Sequence, residues 1–544
     1  MNSMDSFDYV IVGGGAAGCV LAARLSEGGK HTVCVLEGGP PDTSPWIRIP
    51  AGFMKTIFDP AVTYQYLTEP IEGTAARPVT VVQGRTVGGG SAVNGMLYVR
   101  GQKQDFDAWA AAGNPGWSYA DVLPYFKRTE RRYGPGDDRV RGREGALPVS
   151  DYRFDDVLCD AFVKSAEACG VPRTPDYNGP VQFGTGHYQT LIHNRRRVTA
   201  ADAFLHPAIR RGEVALRTRA LSNRIRFEGR RAVGVDYIDG DGKTQSVTAT
   251  RGVILSAGSI NSPKLLQLSG VGPADLLKQY GIPVVHARNS VGDNLRDHYT
   301  ARHVYRIRDA RSLNDVSSGL PLAWQVMRWL VGLPSILEIP PGNCFAFGKS
   351  RPELPDADLQ LTFAPASMKA GTIGLLDDFP GMTCGVWKHR ADSYGSVRIT
   401  AADPRAAPFI NPNYLSEKAD RDGMLAGLRL VRRIFATEPL SRFVIDNALP
   451  GPGVESDDEL LDFARRFGSG TYHLTGSCRM GPASDSSTVV GSELKVHGVE
   501  SLWVADASVM PTEPSGNTYA PTLMIAEKAS DMILGKPALA RVEL

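Results

Sequence analysis

The chain lacks most of the features that advertise a special compartment or partner. Its seven cysteines are odd in number and scattered without metal-ligand spacing, so they give neither a disulfide framework nor a metal site and fit a reducing compartment. Neither sign of charge predominates. Sixty basic residues stand against 58 acidic ones, interleaved along the chain for a formal net charge of +2, which indicates no nucleic-acid partner and no charged tail. Long apolar runs are missing too: the most apolar late stretch, Leu320 to Leu337, is interrupted by Gln325, Arg328, Gly332 and Pro334, which excludes an integral membrane span. The first strand begins too near Met1 to leave room for a signal peptide, so the expected location is the cytoplasm, with peripheral membrane association left open. There is no internal repeat. At 544 residues with 42% hydrophobic content, the chain exceeds the size of a single core, and two domains are expected.

What is present begins with the apolar run Phe7 to Val12, which ends in Gly13-Gly14-Gly15-Ala16-Ala17-Gly18; Thr32 to Leu36 then leads to Glu37. This is a dinucleotide-binding fingerprint with its acid. Gly13 permits the tight turn, Gly15 lets backbone amides approach a pyrophosphate, and Gly18 lets the following helix pack close to the strand. Glu37 is placed to take ribose hydroxyls and would repel a 2′-phosphate, so the ligand is a dinucleotide with an unphosphorylated ribose, NAD or FAD.

Other α/β elements are dispersed. A hairpin-like stretch runs from Val214 to Tyr237, with Phe227-Glu228-Gly229-Arg230 as its turn, and an apolar strand covers Gly252 to Leu255. Leu502 to Ala507 reads as a buried strand, and Pro521 to Ile533 has helical periodicity. The fold class is therefore α/β, α+β overall: a discontinuous Rossmann-like nucleotide domain formed by residues 1–116, 195–302 and 469–544, with a substrate domain formed by 117–194 and 303–468. The alternating patches Asp358 to Phe363 and Ser396 to Ile399 predict an antiparallel sheet there, with helices over Met424 to Phe435 and Asp457 to Phe467.

Two strings are more specific. Gly84-Arg85-Thr86-Val87-Gly88-Gly89-Gly90-Ser91-Ala92-Val93-Asn94 offers backbone amides to a close ligand, with Arg85 adding charge. The second, Gly258 to Gly272, reads as a turn entering a helix that stops at glycine. Together they resemble the two signature patterns of the glucose-methanol-choline oxidoreductases, FAD-dependent enzymes that oxidise alcohols. The likeness extends to Val291 to His298, Pro412 to Leu415 and the block from Tyr472 to Glu527. It implies that the ligand is FAD. Gly13, Ala16, Ala17 and Gly18 would surround its pyrophosphate, Glu37 its adenosine ribose, and Val87, Gly89, Asn94 and Met96 its ribityl chain and ring. Ser222 would lie near the adenine, Asp506 by the ribityl side and Thr518 by the pyrimidine end.

The resemblance also supplies a catalytic pair. His473 and Asn517 match the family's proton-accepting histidine and its hydrogen-bonding partner. A neutral imidazole can accept the alcohol proton as hydride leaves, and an amide can orient the oxygen and stabilise developing charge. Asn517 could instead cap the helix that follows it. Val93 stands where some members carry the histidine that attaches FAD, so the cofactor is expected to be non-covalent. Leu474 replaces the family's usual proline, and Tyr394 a usual arginine. The least patterned segments, Ile336 to Phe347 and Thr362 to Met368, suggest a pocket for an uncharged primary alcohol, aryl or medium-chain, while Phe345, Phe347 and Phe363 read rather as core. No second strand-linked glycine fingerprint provides for a nicotinamide partner, which leaves oxygen or a quinone-type acceptor. The alternatives are a hydroxynitrile lyase on the same scaffold and a non-catalytic nucleotide-binding protein.

Overall fold

The structure, a computed structural model, describes residues 5–151, 154–370 and 374–544. Its first sheet grows from the N-terminal fingerprint. Strand β1 (Ser6–Val12) runs parallel to β2 (Val33–Leu36), with helix α1 (Ala16–Leu25) as the crossover between them. β3 (Val214–Arg217) extends the parallel edge beside β2. The chain then forms β4 (Leu221–Glu228), β5 (Arg231–Ile238) and β6 (Thr244–Leu255), and β6 pairs in parallel with β1 on the side away from β2, so the order is β3-β2-β1-β6-β5-β4. β2 and the last four residues of β1, Tyr9 to Val12, are buried, as both-face coverage requires of a parallel sheet.

The hairpin expected over Val214 to Tyr237 is therefore shorter than its apolar run. Only β4 and β5 form it, turning at Gly229 with φ +59°. Val214–Arg217 is drawn away by parallel pairing to β2, which also lets Arg217 O accept from Glu37 N at 2.8 Å. Helix α2 (Gly258–Leu268) follows β6 directly.

The second sheet is antiparallel. β7 (Tyr299–Ile307), β8 (Cys344–Gly348), β9 (Leu359–Ala364), β10 (Gly381–Lys388) and β11 (Val444–Leu449) lie in the order β11-β7-β10-β9-β8, and the short strand Gly184–His187 pairs outside β8. Helix α3 (Gly319–Leu330) buries no residue, whereas α4 (Lys418–Phe435) and α5 (Asp457–Phe467) turn Leu428, Val431, Ile434, Leu460 and Phe463 into this sheet's core. The strand expected at Ser396 to Ile399 is not part of it. Residues 395–398 pair instead with 293–295 and 409–411 in a separate three-stranded sheet.

The chain returns to the first sheet at its end. β12 (Leu502–Val504) pairs in parallel with β6, and α6 (Tyr519–Ile533) packs on α1. Glu527 of α6, wholly buried, is flanked by Arg24 Nε at 3.0 Å and Arg128 Nε at 2.7 Å. Two cations around one buried carboxylate keep its charge compensated inside the protein. Side chains from Trp117 to Val149 also pack in the first core, although 117–194 was expected on the substrate side; the second core takes Leu158 to Val171. β7 likewise runs across the expected boundary at 302/303.

Candidate active site

One cavity of about 410 Å³ lies where the two sheets meet, lined from Glu37 and Ser222 at one end to His473, Asn517 and Trp387 at the other. The fingerprint loop forms its base. Gly13 sits at φ +102°, and a Cβ there would meet Ser256 O at 2.4 Å; a Cβ on Gly18 would meet Gly13 O at 1.9 Å. Gly18 thus works behind the cavity, as the residue that lets α1 pack close, while Gly13, Gly15, Ala16 and Ala17 line it. α1 begins at Gly15 without a side-chain cap, so its first amides remain directed at whatever occupies the loop.

The second glycine loop closes on the first. Gly89, at φ +52°, approaches so near that a Cβ on it would lie 2.6 Å from Gly15 Cα. Asn94 and Met96 reach the cavity wall with Gly89. Arg85 and Val87 do not. The Arg85 guanidinium lies over the Tyr64 ring at 5.2 Å, and Val87 is buried in the core with its N–H donating to Pro40 O at 3.3 Å. A buried arginine that sequence reasoning missed, Arg197, holds this loop by donating to Asn94 O at 2.7 Å, Asn94 Oδ1 at 2.9 Å and Ser91 O at 3.1 Å.

At the nucleotide end, Glu37 Oε2 accepts from Gly14 N and Oε1 from Gly39 N, both at 2.8 Å. Burial pushes its carboxyl up to about 7. One lone pair on each oxygen remains for hydroxyl donors. Ser222 Oγ lines the same end, buried and without a hydrogen-bond partner in the structure. Asp506 also lines the cavity, but its carboxylate is largely engaged: Oδ2 accepts from Gly258 N at 2.9 Å and Ser262 Oγ at 2.6 Å, Oδ1 from Ser508 N at 2.8 Å and Ser508 Oγ at 2.5 Å. It fastens α2 to the end of β12. Thr518 and Tyr519, at the uncapped start of α6, line the far end.

His473 follows Tyr472, which is held at φ +66°. Asp297 Oδ1 accepts from His473 N at 2.7 Å and so fixes the backbone there. Asn517 Nδ2 stands 2.9 Å from His473 Nε2. It makes no helix cap for α6, and its Oδ1 accepts from Gln360 Nε2 at 3.4 Å. Since Nδ2 donates, Nε2 accepts, and the imidazole proton sits on Nδ1, which faces Thr471 Oγ1 at 2.8 Å and His298 Nδ1 at 3.1 Å. Burial lowers the His473 imidazole to about 3, so it is neutral at ordinary pH.

Behind it lies a buried set that no local pattern disclosed. His298 Nε2 is 3.8 Å from Glu513 Oε2, both side chains wholly buried. Burial holds the imidazole of His298 well below its usual value and the carboxyl of Glu513 well above. The second sheet supplies the remaining wall: Thr300, Arg302, Thr362, Ala364, Thr383 and Trp387. Phe345, Phe347 and Phe363 are buried in hydrophobic clusters, and of the expected pocket segments Pro341, Gly342, Thr362, Ala364 and Met368 reach the wall.

The family model for GMC oxidoreductases matches residues 7–300 with its N-terminal part and 391–526 with its C-terminal part. The chain belongs to the GMC oxidoreductases. It is an FAD-dependent oxidoreductase that acts on alcohols. It is 39% identical to mitochondrial choline dehydrogenase of Mus musculus, over 98% of this chain and 90% of that one. Identity is also 39% to the oxygen-dependent choline dehydrogenase of Rhizobium johnstonii, over 98% and 96% respectively. Among solved structures, pyridoxine 4-oxidase from Mesorbium loti superimposes with a TM-score of 0.85 at 30% identity, covering 96% of this chain and 98% of that one. The R554K variant of formate oxidase from Aspergillus oryzae reaches 0.90 at 25% identity, over 98% and 99%. For an FAD enzyme the cavity fits: a glycine cradle at a helix start, a buried carboxylate with lone pairs to spare and, among the described residues, a buried hydroxyl without a partner are all present in one continuous space.

Proposed function

We propose that this enzyme oxidises an uncharged primary alcohol, aryl or medium-chain, to the aldehyde, with His473 as base and Asn517 as the holder of the substrate oxygen. The observation that carries this reading is the pairing of Asn517 Nδ2 with a neutral His473 Nε2 inside the cavity. A substrate hydroxyl that displaces the amide N–H from Nε2 gives its proton to Nε2 and receives a hydrogen bond from Nδ2. Nδ1 keeps its own proton toward Thr471 and His298, so the ring acquires charge only as the proton arrives. Burial makes that charge costly, which ties proton removal to departure of the hydride. FAD, when bound, supplies the hydride acceptor. The residues assigned to it are Gly13, Gly15, Ala16 and Ala17 at the pyrophosphate, Glu37 and Ser222 at the adenosine, and Gly89, Asn94, Met96 and Thr518 around the ring. Attachment is non-covalent, because Val93 offers no nucleophile at the family's linkage position; acid precipitation of the protein then releases all of the flavin.

Charge supports the neutral substrate. Among the described lining residues the carboxylates are Glu37 and Asp506, both on the first sheet's side, whereas the second sheet contributes Arg302 and no acid. A quaternary ammonium calls for a carboxylate or an aromatic cage; beside His473 the cavity offers Trp387, at 6.1 Å between ring centroids, and Tyr472, with no carboxylate. The competing reading, choline, is favoured by the names of the relatives at 39% identity.

The test is anaerobic mixing of the holoenzyme with benzyl alcohol, medium-chain 1-alkanols and choline, following loss of the oxidised-flavin absorbance. Bleaching by the neutral alcohols and not by choline is expected. Bleaching by choline alone overturns the substrate, and consumption of a cyanohydrin without bleaching would indicate lyase chemistry. Readmission of air or addition of a quinone dye then identifies the acceptor, here assigned as oxygen or a quinone.

A further inference from the structure

Helix α3 is amphipathic in the wrong sense for a protein surface. Its outward side chains are apolar: Leu320 is 87% exposed, Trp324 60%, Met327 52%, and Leu330 and Val331 64% each. Its polar side chains turn back toward the protein instead. Gln325 Oε1 accepts from Ile336 N at 3.3 Å, and Arg328 Nε donates to Pro334 O at 2.7 Å. Surface helices of soluble proteins show the opposite arrangement, and apolar side chains grouped in this way mark an interaction site.

The patch has neighbours of the same kind. The turn Ile336–Glu338 packs against both α3 and residues 50–52, and residues 50–52 in turn pack on the helical turn that carries Trp46. Trp46, Leu333 and Leu375 are each more than two-fifths exposed. Leu375 follows Gly374, which lies against Phe53 and Met54, and Phe53 lines the cavity. The apolar surface therefore sits on the outside of the substrate wall.

Charge and residue type select the occupant. From Val316 to Leu337 the chain contains no acidic residue and a single cation, Arg328. Lys55 and Arg196, exposed on the adjoining segments, add positive charge at the rim. Trp324 stands on its outward face; tryptophan favours the boundary between lipid headgroups and acyl chains. The acids that border this stretch, Asp315 and Glu338, accept from Ser312 N and from Arg195 Nε, and an acid-free apolar helix with Arg328, Lys55 and Arg196 about it matches an anionic bilayer surface, into which such a helix settles flat without spanning it. Among the described residues no helix is long and apolar enough to cross.

We propose that the outward face of α3, with the apolar side chains beside it, docks in the headgroup interface of an anionic phospholipid bilayer and places the substrate wall of the cavity against the membrane. This stands on the surface alone and is independent of which alcohol is oxidised.

The test uses the FAD-loaded full chain. In flotation with phosphatidylcholine/phosphatidylglycerol vesicles, the wild type should rise with the lipid, and brominated phospholipid should quench part of its tryptophan emission. The triple variant Leu320→Ser, Trp324→Ser, Leu330→Ser should partition at least about tenfold less while retaining its flavin and its alcohol-driven bleaching, since none of the three lines the cavity. Light scattering without lipid should give the same mass for both proteins. Failure of the wild type to float overturns the proposal, as does flotation that the triple variant leaves unchanged. A wild-type dimer that the variant splits into monomers overturns it too, because a second copy then covers the face.

Discussion

Asn517 and His473 are locked to each other: the amide nitrogen of one lies 2.9 Å from Nε2 of the other, and Gln360 fixes the amide's orientation from behind. The single Nε2 lone pair is thus held by the Asn517 N–H until a substrate hydroxyl takes its place, and the displaced amide stays near enough to donate to the oxygen that arrives.

Removing the donor should cost rate more than binding. Asn517→Ala is expected to slow flavin reduction by about 10²–10³-fold, the usual loss of a preorganised donor to a developing oxyanion, with FAD content unchanged. Asn517→His, which restores a donor, should recover part of it. His473→Ala should slow the same step by about 10²–10⁴-fold. Rapid-mixing absorbance measures all three, and undiminished reduction in His473→Ala removes that residue from the mechanism.

Glu513 should act through His298. The imidazolium formed on His473 faces His298 Nδ1 at 3.1 Å, and His298 Nε2 faces Glu513 Oε2 at 3.8 Å. Burial keeps the Glu513 carboxyl protonated well above the usual carboxylate range. Its ionisation as pH rises should favour the positive ring and raise the turnover rate. Glu513→Gln is expected to lower kcat about tenfold, leave KM unchanged and flatten that rise. A merely structural role would alter thermal stability and flavin content without touching the pH profile.

Cofactor capture should depend on pH through Glu37. In the apoprotein its carboxyl is held up to about 7 by burial, so below that pH it carries a proton that must leave before both oxygens can accept ribose hydroxyls. The sign follows from linkage: FAD binding releases a proton below pH 7, and affinity falls as pH drops, by up to about tenfold per unit. Titration of apoprotein with FAD at several pH values measures this. Glu37→Gln should bind more weakly and with no such slope.

Gly89→Ala tests the meeting of the two glycine loops. The new Cβ would lie 2.6 Å from Gly15 Cα at a backbone φ of +52°, so one loop must move. A loss of about 1–3 kcal/mol in stability is expected, together with protein that purifies without flavin. Normal flavin content in the variant would show that the loops can separate without harm.

The N-terminal fingerprint was legible because its glycines answer backbone demands that no other residue meets, as Gly13 and Gly18 show. His473 and Asn517 were legible only through family resemblance, since they are 44 positions apart and no local spacing announces a pair. Arg85 and Val87 were misplaced for a related reason: a glycine-rich string reveals that a loop approaches a ligand, but the direction of each side chain on it is settled by partners such as Tyr64. His298 and Glu513 meet through tertiary packing and leave no sequence period at all. The helix over Tyr119–Thr129 has an apolar face that would suit either core, and only its contact with α6 assigns it to the first.

Elements far along the chain shut the first sheet and supply the far wall of the cavity: β12 pairs with β6, and α6 seats Glu527 between Arg24 and Arg128. A nascent chain therefore has its glycine cradle early but no enclosed chamber until β12 and α6 have emerged. Loading with flavin becomes a late event in the life of the polypeptide, and chains cut short before Leu502 should accumulate as colourless protein open to proteolysis.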